Sequence, residues 1–182
     1  LEVEKYEPYI PANLQGICKS TFPAWIPKTD EPRIQSNPGF LEACQGKEMY
    51  TSEKLDGSSC TIFLKNGEFG VCSRNMELLE TSESTFWQVA RKLDLENKLR
   101  HTGKNLAIQG ELYGQGIQSN KYKLSDHRFA CYNIWDIDRQ QYLDFAEFVA
   151  ICKQLQIETV PILQTNILFL ENIFKQFCGE FS

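Results

Sequence analysis

The residues best suited to chemistry are Lys54, Asp56 and Gly57, within the segment Glu53–Ser59. A lysine with an ordinary pKa of ~10.4 is almost wholly protonated at neutral pH, so a nucleophilic lysine must be desolvated or placed beside another cation. The pattern Lys-x-Asp-Gly supplies the amine, a carboxylate, and a glycine whose missing Cβ lets a phosphate approach. On a strand, Lys54 and Asp56 would point to the same face. The same pattern also suits an ordinary hairpin turn, so alone it assigns no function.

Length and composition restrict the class of protein. A chain of 182 residues, 42% hydrophobic and 12% aromatic, predicts one globular domain, or one domain plus an arm. No apolar stretch approaches the ~20 residues of a membrane helix and no signal peptide opens the chain, so we expect no membrane partner. The net charge of −5 argues against coating of nucleic acid by bulk electrostatics but leaves a local basic groove open.

The termini and the cysteines add two expectations. There is no initiator Met, and we expect Leu1 to mark the boundary of a domain excised from a longer protein. Seven cysteines are scattered without a Cys-x-x-Cys pair, which indicates reduced thiols in a cytosol-like compartment. We therefore expect a cytoplasmic monomer, with nucleus and organelle left open.

Periodicity and turn residues predict the elements. Residues 1–47 are rich in proline and predict an extended, irregular arm that packs on a domain over 48–182. The pattern predicts strands at 48–54, 58–65, 68–73, 105–113, 128–137 and 160–164, and helices at 82–101, after a capping box at Asp144 and Glu147, and at 167–177. The strands come as hairpins, not in βαβ alternation, which predicts an α+β fold of antiparallel sheets flanked by helices. No GxGxxG or Walker A loop is present.

Three further clusters carry polar chemistry within apolar surroundings. Arg74, at the end of a strand, suits contact with a phosphate or ribose. Glu111 lies in an apolar strand, where a carboxylate is costly unless it is paired or bound to a metal or ligand. Trp135 offers a stacking plane for a nucleobase if it faces a pocket. Alternation puts Tyr132, Ile134 and Asp136 on one face and Asn133, Trp135 and Ile137 on the other. The purely structural roles open to these residues are a solvated strand end, an edge-strand glutamate and a core tryptophan.

The order of these motifs resembles the covalent nucleotidyltransferase superfamily of ATP-dependent DNA ligases, RNA ligases and mRNA capping enzymes. Lys-x-Asp-Gly-Ser is followed by Ser-Arg-Asn, then by Gly-Glu-x-x-Gly-x-Gly-Ile-Gln and by Trp-Asp-Ile. The continuation from Gly114 to Asn120 resembles the RNA ligase 2-type branch. Residues 28–35 are similar to RNA ligases that carry an OB module before the catalytic domain. The resemblance covers residues 22 to about 165 and implies an ATP-grasp-like nucleotidyltransferase domain.

The resemblance also implies a reaction and its residues. Lys54 would attack the α-phosphate of ATP, form a lysyl–AMP phosphoramidate and expel pyrophosphate, and the enzyme would then join RNA 3′-OH and 5′-phosphate ends. Asp56 and Glu111 would be catalytic and would hold Mg²⁺ or Mn²⁺, with Glu111 also near the ribose. The other expected nucleotide contacts are Arg33 to the phosphates, Arg74 to the ribose or the RNA 3′ end, Trp135 to adenine, and Glu53 and Leu55 beside the nucleophile.

Two late motifs of the superfamily are missing. Neither a Glu-Gly-hydrophobic-Val element nor a Lys-x-Lys pair lies between Val160 and Ser182. We expect truncation before these motifs, because a lysine pair at the triphosphate is hard to replace. Their loss would leave a non-catalytic module that binds RNA ends. A DNA ligase and an mRNA capping guanylyltransferase are also compatible with the motifs, and labelling of Lys54 by GTP would identify the capping enzyme.

Overall fold

The computed structural model of the chain describes residues 14–30 and 36–170. The described residues belong to two compact units: a larger one formed by 14–29 and 55–160, and a smaller one formed by 30, 36–54 and 161–170. Arg33 and residues 171–177 of the predicted last helix lie outside the described residues. Among the described residues, no helix is long and apolar enough to cross a membrane.

Ten strands and four α-helices make up the described chain. The strands are β1 (Cys18–Thr21), β2 (Glu48–Ser52), β3 (Ser58–Lys65), β4 (Glu68–Cys72), β5 (Met76–Leu78), β6 (Leu106–Gly114), β7 (His127–Asp136), β8 (Gln141–Tyr142), β9 (Glu158–Thr159) and β10 (Ile162–Leu168). The helices are α1 (Pro38–Cys44), α2 (Thr85–Lys92), α3 (Leu95–Thr102) and α4 (Phe145–Leu155).

The larger unit is built on one eight-stranded sheet. Its strand order is β1-β5-β4-β3-β6-β7-β8, with β9 beside β7. All pairs are antiparallel except β7 with β9, so the predicted α+β class with antiparallel sheets is confirmed. The hairpin from β3 to β4 turns through Asn66 and Gly67, whose φ angles of 50° and 83° are both positive, as the Asn-Gly signal predicts.

Helices cover one face of this sheet. Even-numbered residues of β3 and β6, such as Ile62 and Ile108, are fully buried in a cluster that includes Leu95, Leu99 and Leu155 from the helices. Full burial of each such side chain contributes about 1.5–3 kcal/mol. Because side chains alternate along a strand, the odd-numbered residues of β3 and β6 point to the opposite face of the sheet.

The opposite face has two different ends. At one end Phe63 and Ala107 form a second buried cluster with Phe22, Ile26 and Ile137. At the other end the odd-numbered positions are polar, and Ser59 and Glu111 are only partly buried. Phe22 and Ile26 pack on the apolar end, and the same segment continues to Thr29, whose hydroxyl lies 3.1 Å from the Ser59 hydroxyl at the polar end.

The predicted helix over 82–101 is two helices. Asp94, with φ 52°, adopts the left-handed conformation between α2 and α3, which ends one helix and redirects the chain. The break allows Leu95 and Leu99 to reach the core, although the hydrophobic period is continuous when the sequence is read alone. At α4 the predicted cap is confirmed, since the Asp144 side chain accepts a 2.8 Å hydrogen bond from the Glu147 amide.

Part of the predicted irregular arm is regular structure. Cys18–Thr21 form β1, which pairs with β5 and extends the large sheet, and Pro38–Cys44 form α1. Lys19 of β1 donates to Glu77 at 2.8 Å and to Glu68 at 2.7 Å. The residues that pair with β1 lie far along the chain, so the local sequence could not reveal this strand. The high proline content therefore predicted an irregular arm. The predicted domain boundary at residue 47 stays a prediction.

The smaller unit corrects two element boundaries. It contains α1 and a two-stranded antiparallel sheet of β2 and β10, in which Met49 pairs with Ile167 and Glu48 with Leu168. Ile167 and Leu168 are therefore strand residues, and the prediction of a helix beginning at 167 is wrong there. The predicted strand over 48–54 ends at Ser52, so Lys54 and Asp56 lie in a connection and strand alternation does not orient them.

Candidate active site

Glu111 lies on β6, an inner strand, at the polar end of the sheet face opposite the helices. Its Cα partners are Ser59 on β3 and Ala130 on β7, so neighbouring strands flank it on both sides. The Ser59 hydroxyl lies 3.1 Å from the Thr29 hydroxyl and 3.5 Å from the Tyr132 hydroxyl. The sheet thus places a carboxylate among three hydroxyl groups, an arrangement that can bind a polar ligand such as a ribose.

A β-bulge brings Tyr132 to this face. Gln109 pairs with Asn133 but Gly110 pairs with Cys131, so Tyr132 is the extra residue of β7. The expectation that Tyr132 shares a face with Ile134 is therefore wrong: Ile134 packs in the helix-facing cluster, and Tyr132 packs on Leu55, Ala130 and Val160. Burial raises the pKa of Tyr132, the Ser59 and Thr29 hydroxyls lower it, and the negative charge of Glu111 raises it further.

Gly57 packs directly against the strand that carries Glu111. A Cβ at this position would lie 2.3 Å from the Leu112 carbonyl oxygen and 3.0 Å from the Glu111 Cγ. Real Cβ atoms do not approach backbone oxygen so closely, so glycine is required here by the contact with β6. The sequence predicted glycine for access of a phosphate, and the structure adds this packing reason.

Asp56 and Gly57 are held by the loop between β6 and β7, residues 115–126. The Asp56 amide donates to the Tyr122 hydroxyl at 2.9 Å, and the Gln118 side-chain amide donates to the Gly57 carbonyl at 3.3 Å. The Lys121 ammonium lies 2.9 Å from the Asp56 carboxylate, and this hydrogen bond raises the pKa of Lys121. Sequence reasoning noted the motif Gly114–Asn120 but missed Lys121 and Tyr122, which no local pattern distinguishes from loop residues.

Lys54 itself is exposed and is the last residue of the smaller unit before the chain enters the larger one. One peptide bond joins it to Leu55, so the two Cα atoms are about 3.8 Å apart. Leu55 is 8% exposed and belongs to the cluster that holds Tyr132. Glu53 is exposed, and its amide donates to the Pro161 carbonyl at 2.9 Å within the smaller unit.

Arg74 lies at the polar end of the same sheet. It is exposed in the turn between β4 and β5, which the Ser73 amide closes with a 2.9 Å hydrogen bond to the Met76 carbonyl. β4 ends two residues earlier at Cys72, whose partner on β3 is Thr61. The β3–β4 register therefore runs toward Ser59 as β4 approaches Arg74, and the contact of Arg74 with a nucleotide stays a prediction.

Trp135 is placed elsewhere. It pairs with Ala107, four residues before Glu111 on β6, a separation of about 13 Å along the strand. Its indole N–H donates to the Trp25 carbonyl at 3.2 Å, and its ring contacts Tyr142 edge-on at 5.0 Å. Trp135 also lines a groove of about 490 Å³ with Trp25 and Lys65. The structure does not bring Trp135 to Glu111, and its role in stacking stays a prediction.

Asp56 and Glu111 are the two carboxylates that the sequence predicts as metal ligands. Among residues 14–30 and 36–170, no group of three or more His, Cys, Asp or Glu side chains could hold a metal by itself. Mg²⁺ commonly uses one or two carboxylates, with the remaining ligands from water and substrate phosphates. Two carboxylates, Asp56 and Glu111, are the number that such a site uses, and their role as metal ligands stays a prediction. The Lys121 ammonium lies 2.9 Å from the Asp56 carboxylate.

Solved RNA ligase structures resemble this chain. A lysine-to-alanine variant of Naegleria gruberi RNA ligase with ATP and Mn has a TM-score of 0.82 and 39% identity, over 91% of this chain and 50% of that one. A lysine-to-methionine variant with AMP and Mn has a TM-score of 0.82 and 38% identity, over 92% and 51%. A glutamate-to-alanine variant with ATP and Mn has a TM-score of 0.79 and 39% identity, over 88% and 50%.

The chain therefore spans about half the length of the ligase structures that it matches. A search among curated protein sequences gave no match. The sequence profile described as RNA ligase matches residues 47–176, which is most of the chain and includes Lys54, Asp56, Arg74 and Glu111. With the ordered motifs, the antiparallel sheet and these structures in agreement, the chain belongs to the RNA ligase family.

Proposed function

We propose that this chain is the adenylation domain of an ATP-dependent RNA ligase. The Lys54 nitrogen would bond to the α-phosphorus of ATP while the bond to pyrophosphate breaks, and the amine would lose its proton. The resulting lysyl–AMP would donate AMP to an RNA 5′-phosphate, and attack by a 3′-OH would seal the strand and release AMP. The observation that carries this proposal is the packing of Gly57, the last residue of Lys-x-Asp-Gly, against β6 beside the Glu111 side chain.

The related structures support the same three residues. The Naegleria gruberi variants change a lysine, the second residue after it, an aspartate, and a later glutamate. These positions have the same spacing as Lys54, Asp56 and Glu111. The structures with ATP, AMP and Mn support ATP as the nucleotide and a divalent cation as its partner.

The two carboxylates would bring the cation to the nucleotide. Asp56 and Glu111 would hold Mg²⁺ or Mn²⁺, which supplies positive charge against the phosphates and the leaving group. The protein's own contribution is placement, because both residues are fixed by contacts with β6 and its following loop. A fixed pair needs little reorganisation during the reaction.

Residues on the same sheet face are the proposed contacts to the base and the sugar of ATP. Tyr132 presents an aromatic ring beside Leu55, one residue after the nucleophile, so we assign base stacking to Tyr132 in preference to Trp135. Glu111 and Arg74 remain the proposed contacts to ribose or the RNA 3′ end, Arg33 to phosphate, and Glu53 to the nucleotide beside Lys54. The RNA ends and the monomeric state are also proposals. The six described cysteines are free thiols, which supports a reducing, cytoplasm-like compartment.

A labelling and chase experiment tests this function. Full-length protein is incubated with Mn²⁺ and α-labelled ATP or GTP, and the labelled protein is then given nicked RNA with a 5′-phosphate. We expect label from ATP on the protein, transfer to RNA, and a sealed strand. Labelling by GTP would indicate a capping enzyme, and sealing of nicked DNA in preference to RNA would indicate a DNA ligase. RNA binding without any label would indicate the non-catalytic module.

A further inference from the structure

The 115–126 loop contributes more to the site than its motif predicted. Three of its side chains reach the two residues that follow Lys54 and Leu55: Tyr122 accepts from the Asp56 amide, Gln118 donates to the Gly57 carbonyl, and Lys121 pairs with the Asp56 carboxylate. The proposed adenylation chemistry does not use these loop residues. They nevertheless make most of the described polar contacts of the Asp56–Gly57 segment.

The loop is itself held in one shape. Asn120 donates from its side chain to the Leu124 carbonyl at 3.0 Å and accepts from the Leu124 amide at 3.1 Å. Gln118 and Asn120 have positive φ angles of 48° and 44°, which side-chain hydrogen bonds of this kind help to maintain. A loop with fixed internal bonds can place Lys121 and Tyr122 reproducibly.

The contacts that Lys121 and Tyr122 make with Asp56 differ in how readily they can break. The Tyr122 ring is half-buried, packs edge-on against Tyr113 at 5.4 Å and lies on the Leu55 cluster. The Lys121 and Asp56 side chains are 68% and 42% exposed, and such a pair contributes little stability. The Lys121 ammonium can therefore leave Asp56 at small cost, whereas the Tyr122 hydroxyl is held in place.

We infer that Lys121 is the counter-ion of Asp56 when no nucleotide is bound, and that the divalent cation arriving with the nucleotide displaces it while Tyr122 keeps the Asp56 backbone in place. This inference rests on the proposed function, because it assigns Asp56 to the metal. Lys121 then competes with the metal, so removing its charge lowers the metal concentration that the enzyme needs. Tyr122 acts as a positioning residue, so removing its hydroxyl slows adenylation without changing the metal requirement.

The test compares variants of the full-length protein. Mn²⁺ binding is measured from the EPR signal of free Mn²⁺ in the presence of an ATP analogue that cannot transfer AMP, and the initial rate of protein labelling by ATP is measured over a Mn²⁺ titration. The variants are Lys121→Met, Lys121→Arg and Tyr122→Phe. The matched control is Lys123→Met, because Lys123 is an exposed lysine of the same loop whose side chain has no ion pair among the described residues.

We expect Lys121→Met to lower the half-saturating Mn²⁺ concentration about two- to fivefold, the range that an exposed ion pair can account for. Lys123→Met should change it less than Lys121→Met, and Lys121→Arg should not lower it. Tyr122→Phe should reduce the maximal labelling rate several-fold at an unchanged Mn²⁺ requirement. Equal effects of Lys121→Met and Lys123→Met, or a higher requirement in Lys121→Met, would overturn the inference. Wild-type protein that takes no label from ATP would instead overturn the proposed function.

Discussion

At the scale of single residues, Asp56 and Glu111 are the two carboxylates of the proposed site, with the Asp56 amide bound to Tyr122 and Glu111 paired between β3 and β7. Asp56→Ala and Glu111→Ala should each slow lysyl–AMP formation about 10²-fold or more, comparable to loss of one preorganised electrostatic contact. Glu83→Ala is the control, because Glu83 is an exposed carboxylate in the loop before α2. Label incorporation gives the rate, and the melting temperature should change little. Wild-type rates in both folded variants would place the pocket elsewhere.

Tyr132 and Trp135 are two aromatic residues of β7 with different surroundings. Tyr132→Ala should raise the KM for ATP by an amount equivalent to about 1–3 kcal/mol, the usual contribution of one base–aromatic stack, and Tyr132→Phe should restore most of it. Trp135→Ala should cost about 3 kcal/mol of stability and leave the KM nearly unchanged, because its ring packs against Tyr142 and its N–H binds the Trp25 carbonyl.

Both aromatic variants are followed by melting temperature and ATP dependence together. The assignment of Tyr132 fails if Trp135→Ala raises the KM for ATP at an unchanged melting temperature while Tyr132→Ala does not. That result would return base stacking to Trp135, as the sequence predicts.

At the scale of elements, the contact between Gly57 and β6 joins the start of β3 to the strand that carries Glu111. Gly57→Ala should destabilise the protein by about 1–3 kcal/mol, because the new methyl group meets a backbone oxygen that no side-chain rotation can move. Adenylation should fall as well. Gly39→Ala is the control: it lies in α1, nothing lies within 4 Å of its added Cβ, and alanine favours a helix. Equal melting temperatures for the two variants would show that β6 can shift to make room for the added methyl group.

The turn from β7 to β8 is stabilised by a buried charge. Burial raises the pKa of Asp136, but hydrogen bonds from the backbone and side chain of Arg139 and from the Asp138 amide outweigh this and hold the pKa below its ordinary value. Arg139 also binds Glu147 of α4 at 3.1 Å. A carboxyl whose pKa is lower in the folded state stabilises the fold at pH values above its unfolded pKa of ~3.9.

The stabilisation by Asp136 should therefore be present at pH 7 and lost as the pH falls through its lower, folded pKa. Asp136→Asn retains the shape but not the charge, so its free energy of unfolding should be lower than that of the wild type at pH 7. The difference between the two proteins should shrink as the pH falls below ~3.9. Urea unfolding at several pH values measures this. A difference that is the same at every pH would show that the Asp136 charge does not contribute.

At the scale of the whole molecule, sequence patterns predicted the features that depend on residues close together in the chain, such as turns and helix caps. The hairpin from β3 to β4 follows from Asn66-Gly67, and the start of α4 from the Asp144 cap. Distant pairings were not predictable in this way: β1 joins the sheet through β5, and the 115–126 loop reaches back to Asp56. The bulge at Tyr132 also escaped, because one extra residue reverses the alternation that assigns strand faces.

The difficulty of predicting distant pairings also explains which parts of the site the sequence revealed. The ordered motifs placed Lys54, Asp56 and Glu111 in one proposed pocket, and the structure brings the Asp56–Gly57 segment to Glu111. Periodicity gave no means to see that Lys121 and Tyr122 complete that segment, or that Trp135 lies about 13 Å from Glu111 along β6. A residue's place in a site depends on strand register and loop shape, which a single sequence does not state.

The central claim is that Lys54 carries AMP. Intact mass of the full-length protein, measured after incubation with ATP and Mn²⁺, tests it most directly. We predict a gain of one AMP in the wild type and none in Lys54→Arg, because a guanidinium keeps its charge and cannot act as the nucleophile. An unchanged wild-type mass, or an undiminished adduct in folded Lys54→Arg, would contradict the assignment.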